Sequence, residues 1–126
     1  MSENQTKACT ILQLRFKLRV PPSVFLARSR EAATTIASLR GLIWKIWVMR
    51  EEDSQLGGIY AFADRAAEEA YLSHPIIQEM HNHPAVESSD SQIWDVGRSL
   101  SALTRAPLPE VHLPHIKPDT LLAGSH

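Results

Sequence analysis

Residues 74–84 read HPIIQEMHNHP and bring His74, His81 and His83 into one short segment. Imidazoles can hold a metal ion or move protons near neutral pH. At about 100° per residue, His74, Gln78 and His81 share a helical stripe if Pro75 only bends the helix, whereas His83 falls about 200° from His81. A three-histidine metal site is therefore not expected, and Glu79, Glu87 and Asp90 add no recognisable ligand spacing. Acid/base work remains. His74 lies on the stripe of Ala67, Ala70 and Tyr71 and is the first candidate, His81 the second. The bland alternative is that polar residues simply end a helix beside its negative pole, a role His83 fits best.

Lys45 raises a second possibility, because it stands mid-strand between Trp44 and Trp47, where a charge is costly unless paired or stacked. Either a carboxylate such as Asp95 pairs with it, or the amine is pushed toward neutrality and serves as a base or Schiff-base former. Trp44, Trp47, Tyr60, Phe62, Tyr71 and Trp94 supply the apolar walls that small-molecule sites use. Tyr60 joins His74, His81 and Lys45 as a catalytic candidate; the other five aromatics are substrate-binding candidates. Strand alternation puts Trp44 and Trp47 on opposite faces, so at most one points into a given cavity. For each aromatic, core packing is the competing role.

The elements that must position these groups follow from periodicity. Residues 10–18, TILQLRFKL, alternate apolar and polar as a half-buried strand does. From about Ser23 to Arg40, Phe25, Ala32, Ile36 and Leu39 lie near one helical stripe, and Gly41 suits a left-handed cap. Residues 42–50, LIWKIWVMR, are apolar on both faces and read as a central strand. LGGIYAFA forms a third strand, in which Gly57 and Gly58 suggest a bulge or a close approach. Asp64 can cap a second helix, Pro75 fits its continuation or restart, and Pro84 ends it. SQIWDV, roughly Ser91 to Val96, supplies a fourth strand.

The order β-α-β-β-α-β is the split plan in which two helices cover one face of a four-stranded antiparallel sheet, an α+β architecture. A face left bare, with apolar residues on strand two, is expected to meet a second copy, giving a homodimer. Residues 1–9 form a polar lead, 10–98 the domain, and 99–126 an extended arm with Pro107, Pro109, Pro114 and Pro118. That arm would lie along the partner, close over a cavity, or remain a partly ordered tail.

The run GLIWKIW at 41–47, GGIYAF at 57–62, Asp64, AYL at 70–72 and IWDV at 93–96 with the later LS together resemble the YdhR-like monooxygenase family over about residues 10–103. The resemblance implies a ferredoxin-like dimeric α+β barrel with a cavity between sheet and helices. It also implies the activity class of cofactor-free quinone-forming monooxygenases and polyketide cyclases. The histidine-rich end of helix two and the proline-rich arm extend beyond the family pattern and flank the expected cavity mouth.

Composition narrows the partners. A net charge of −1 on 126 residues, with 44% hydrophobic and 21% charged, suits a soluble domain and not a phosphate backbone, so no nucleic acid is expected. The single Cys9 forms no internal disulfide, the opening MSENQTKA lacks a secretory core, and GLIWKIWVM is too short to span a bilayer. A cytoplasmic location and no membrane partner are expected. No GxGxxG or CxxCH motif is present, so no cofactor is expected and an oxygenated substrate would supply its own electrons. The reading is a cofactor-independent enzyme on a hydrophobic aromatic or polyketide-like molecule, a monooxygenase by resemblance. A non-oxidative cyclase or isomerase, or a non-catalytic ligand-binding protein, are the alternatives.

Overall fold

The computed structural model describes residues 9–109. Nearly all of the polar lead and residues 110–126 of the expected arm lie outside the described residues. Strand β1 (Thr10–Leu18) alternates as its sequence requires: Thr10, Leu12, Leu14, Phe16 and Leu18 are buried, and Arg15 is exposed on the other face. With β2 (Leu42–Arg50), β3 (Gln55–Phe62) and β4 (Val86–Asp95) it forms an antiparallel sheet in the order β2-β3-β1-β4. Helices α1 (Pro22–Ala27), α2 (Arg30–Ala37), α3 (Arg65–Leu72) and α4 (Pro75–His81) bring Ile36, Tyr71 and Ile77 onto Leu12, Leu14, Phe16 and Leu18. Each fully buried aliphatic side chain in this layer contributes about 1.5–3 kcal/mol.

Several boundaries differ from the sequence reading. The expected first helix is two helices: Arg28 leaves the helical region at φ −103°, ψ 9°, and the Ser29 hydroxyl donates back to the Phe25 carbonyl at 2.9 Å. Such back-bonding competes with the helical ladder. Gly41 takes φ 88°, as expected of its cap, and a side chain there would strike Cβ of Ala67. The fourth strand starts at Val86 and not near Ser91; polar residues 87–90 fall outside the expected strand, yet pairing with β1 from Leu18↔Val86 to Arg15↔Asp90 holds them. The first residues of the expected extended arm, 99–103, instead lie in helix α5 (Arg98–Leu103).

The uncovered sheet face carries cross-strand rows, one of which is Trp94–Ile11–Ala61–Trp44. After α5 the chain reaches the far edge strand, where the Trp44 indole donates to the Pro107 carbonyl at 2.6 Å. Residues 98–107 thus pass from the β4 edge to the β2 edge. Ile46 and Trp94 on this face stay 49% and 53% exposed, and Leu100 of α5 is 73% exposed. Among the described residues no helix is long and apolar enough to cross a membrane.

Candidate active site

A break in register builds the site. Between Leu42 and Trp44 the β2–β3 pairing shifts: Leu42 faces Phe62, but Trp44 faces Ala61, Lys45 faces Tyr60 and Trp47 faces Gly58. The inserted residue turns Leu42, Lys45 and Trp47 toward the helices and Trp44 away from them. Strict alternation from Leu42 would have pointed Lys45 to the open face.

Once inside, the Lys45 side chain lies over aromatic rings. Its Nζ is 3.3 Å from the Trp47 ring centroid and 4.7 Å from that of Tyr60. Gly58 makes this possible: a Cβ there would fall 2.8 Å from both Lys45 Cε and Tyr60 Cε1. The close approach expected at the glycine pair is present, and the bulges lie elsewhere. Asp95, the carboxylate considered as a partner for Lys45, accepts from Arg65 at 3.1 Å instead. Among the described residues no carboxylate forms an ion pair with Lys45.

Burial in this setting lowers the Lys45 ammonium from its ordinary value to about 7, because removing water penalises the charged form. Deeper in, the hydroxyls of Tyr60 and Tyr71 meet at 2.6 Å, with Tyr60 stacked on Phe62 at 5.8 Å. Burial, then the neighbouring Tyr71, pushes Tyr60 far above the usual phenol range. Burial pushes Tyr71 up to about 12, with the hydrogen bond to Tyr60 pulling the other way. Both phenols therefore keep their protons at neutral pH, and among the cavity walls Lys45 is the group that can change charge there.

The cavity has a volume of about 70 Å3. Its sheet side is Phe16, Lys45, Trp47, Leu56, Gly57, Gly58 and Tyr60; its helix side is Phe25, Ser29, Ala32, Ile36, Tyr71, Ile76, Ile77 and Met80. That is room for roughly five water-sized groups, well below the ~300 Å3 of a drug-sized pocket. A larger groove of about 330 Å3 lies on the open face beside Gln13, Arg15, Val48 and Ile59. Its arginines are engaged, Arg15 with Asp90 and Arg50 with Asp53. The smaller cavity, holding the Lys45 amine among aromatic walls, is the better setting for chemistry.

Of the candidates, Lys45, Tyr60, Trp47 and Tyr71 come together here. Phe62 is fully buried behind Tyr60 and does not line the cavity. Trp44 and Trp94 stand on the opposite sheet face, which removes both from the cavity wall; the Trp94 indole lies 3.4 Å from the Gln13 amide oxygen. The histidines are occupied locally. His74 caps α4, its Nδ1 accepting from the Ile76 amide at 3.0 Å, so it ends one helix and starts another and does not line the cavity. His81 shares a hydrogen bond of 2.8 Å with Ser89 and rests on Phe16 at 5.5 Å. His83 Nδ1 accepts from the Ala85 amide at 3.0 Å. Among the described residues no three His, Cys, Asp or Glu converge on a point where a metal ion could sit. Phe25 and Met80 were missed by the sequence reading, since nothing in an apolar helical position distinguishes a cavity wall from a core contact, and Ser29 was missed because it sits at the unforeseen break between α1 and α2.

The profile of the family described as "Putative mono-oxygenase ydhR" matches residues 11–107. Among solved structures, a protein from Shewanella oneidensis superposes with a TM-score of 0.60 at 14% identity, covering 71% of this chain and 92% of that one. SnoaB, a cofactor-independent oxygenase from Streptomyces nogalater, gives a TM-score of 0.60 at 17% identity, covering 74% and 97%. A dabb family protein with a ferredoxin-like fold from Mesorhizobium loti gives 0.54 at 20% identity, covering 71% and 97%. At these identities the likeness establishes the ferredoxin-like fold. Comparison with the curated proteins finds no match.

Proposed function

The chain belongs to the family described as putative mono-oxygenase ydhR, and from that premise we propose that it oxygenates a hydrophobic aromatic or polyketide-like molecule without a bound redox cofactor. The observation that carries this reading is the Lys45 amine, stacked on Trp47 in an apolar cavity and without an ion pair among the described residues. A neutral amine can remove a proton from a phenol or from a methylene flanked by a carbonyl and an aryl ring. The resulting carbanion hands electrons to dioxygen. One oxygen atom replaces two hydrogens at the carbon and the other leaves as water, so the substrate supplies every electron.

In this mechanism Lys45 is the base; of the protonated Tyr60–Tyr71 pair, one hydroxyl donates to the other and the second donates to the oxygen that gains charge. Trp47 forms a wall. A polycyclic substrate exceeds the cavity as it stands, so the side chains of Phe25 and Met80 on the helix side must move to admit it. The open sheet face, with exposed Ile46, Val48 and Trp94, supports a homodimer as the working form. The proposed setting is the cytoplasm, where the lone thiol of Cys9 would stay reduced.

The test is product analysis with polycyclic phenols carrying an activated methylene, run in air and under nitrogen. Oxygen uptake matched to a product that has exchanged two hydrogens for one oxygen supports the proposal. An isobaric product formed equally well under nitrogen replaces it with a cyclase or isomerase using the same base. Binding without turnover replaces it with a ligand carrier.

A further inference from the structure

A base that is a primary amine is also a nucleophile toward carbonyl carbon. Three features favour that second role for Lys45. Its Nζ lies among the cavity walls, held over Trp47 and Tyr60, and among the described residues no carboxylate draws it away. Those walls are otherwise uncharged; their other oxygen-bearing side chains are Ser29, whose hydroxyl is committed to the Phe25 carbonyl, and the Tyr60–Tyr71 pair. The space itself matches one small ring or a short chain.

We propose that the cavity captures small aromatic aldehydes or ketones covalently, as an imine on Lys45. The amine nitrogen forms a bond to the carbonyl carbon and the carbonyl oxygen takes up a proton, giving a carbinolamine. Loss of the amine proton and of the protonated hydroxyl as water then leaves the carbon–nitrogen double bond. Amine plus carbonyl becomes imine plus water, with no change of oxidation state. The Tyr60–Tyr71 pair, both members protonated, delivers the proton to the departing oxygen and recovers it from the nitrogen. The apolar walls exclude the water that would reverse the step. Lys17 is the internal control: its Nζ donates to the Asp53 carbonyl at 2.9 Å outside this cavity. With a folded-state value of about 7, close to half of Lys45 is free amine at neutral pH, against roughly one in a thousand or fewer for an ordinary lysine.

This inference does not depend on oxygen chemistry, so it is tested under nitrogen. The full chain is incubated at neutral pH with benzaldehyde and sodium cyanoborohydride, which reduces any imine to a stable benzylamine, and the labelled peptides are quantified by mass spectrometry. The expected result is Lys45 labelled at least about tenfold faster than Lys17, with the difference abolished in concentrated urea. Lys45→Arg should remove this label while circular dichroism remains native. Equal labelling of Lys45 and Lys17 in the folded chain, or a Lys45 preference that persists in urea, would overturn the proposal. Failure here leaves the oxygen-uptake experiment unaffected.

Discussion

Lys45 and Trp47 are two residues apart on one strand, and the amine of the first lies 3.3 Å from the ring centre of the second. Side chains at i and i+2 share a face of a strand, and Gly58 across the pair leaves the room they need. The half-buried amine is thereby partly withdrawn from water, among the described residues no carboxylate pairs with it, and its ammonium form is disfavoured.

Stability should register this cost. The folded-state value of about 7 lies below the ordinary ~10.4 of an unfolded lysine, so the unfolded chain binds more protons between those two values. Stability from this group therefore rises as pH climbs from about 7 toward ~10 and is lowest below 7. Replacing Lys45→Met should flatten that slope and raise the unfolding free energy at neutral pH by up to a few kcal/mol, at about 1.4 kcal/mol per pKa unit. Urea denaturation across this pH range reads the slope directly. An unchanged slope in the variant would rule out Lys45 as its source.

Gly58→Ala should damage the site more than the fold. The new methyl would overlap Lys45 Cε and Tyr60 Cε1, an overpacking worth about 1–3 kcal/mol. The flexible lysine yields first, so turnover should vanish while the sheet still forms. Thermal unfolding with Trp fluorescence separates the two effects; wild-type turnover in a folded variant would show that Lys45 need not lie there.

His74→Ala should cost about 1 kcal/mol through the lost cap on α4, and His74→Asn should restore most of it. Neither change reaches the cavity, so kcat should hold in both. If His74→Asn folds normally yet loses turnover, the imidazole has a chemical part that its position off the cavity wall does not explain.

Glu68 is fully buried, and among the described residues neither of its carboxylate oxygens has a hydrogen-bond partner; Arg65 Nε stands 3.6 Å away. Burial raises its pKa, with Arg65 pulling it back only in part. A raised carboxylate stabilises below its unfolded value and loses that contribution as pH rises through the folded one. Glu68→Gln should therefore increase Tm more at pH 8 than at pH 4. Equal shifts at both values would mean that Glu68 carries no such proton.

The strands carried most of the legible information. In TILQLRFKL alternation marked the strand, because burial on one face selects residue type position by position; in LIWKIWVMR apolar and β-branched residues marked the strand but suggested a central one, whereas β2 lies at a sheet edge. Polar residues 87–90 concealed the first half of β4, since an edge strand is held by pairing and not by its own pattern. The site was half legible. Lys45, Trp47, Tyr60 and Tyr71 are chemically unusual where they stand, but which tryptophan faces inward depends on a bulge that leaves no mark in LIWK. For the histidines, sequence spacing describes a stripe and not what the stripe touches: His74 ends one helix and starts the next.

The most direct test of the base assignment is the pH dependence of kcat/KM for wild type and Lys45→Arg, measured on any substrate that the oxygen-uptake experiment identifies. The expected wild-type profile rises to a plateau with an apparent pKa of about 7, the pH at which Lys45 gives up its proton. In Lys45→Arg the residual rate should be lower by at least about a hundredfold and lack that limb, since a guanidinium stays charged. A variant retaining the wild-type limb and rate would contradict the assignment of Lys45 as the base.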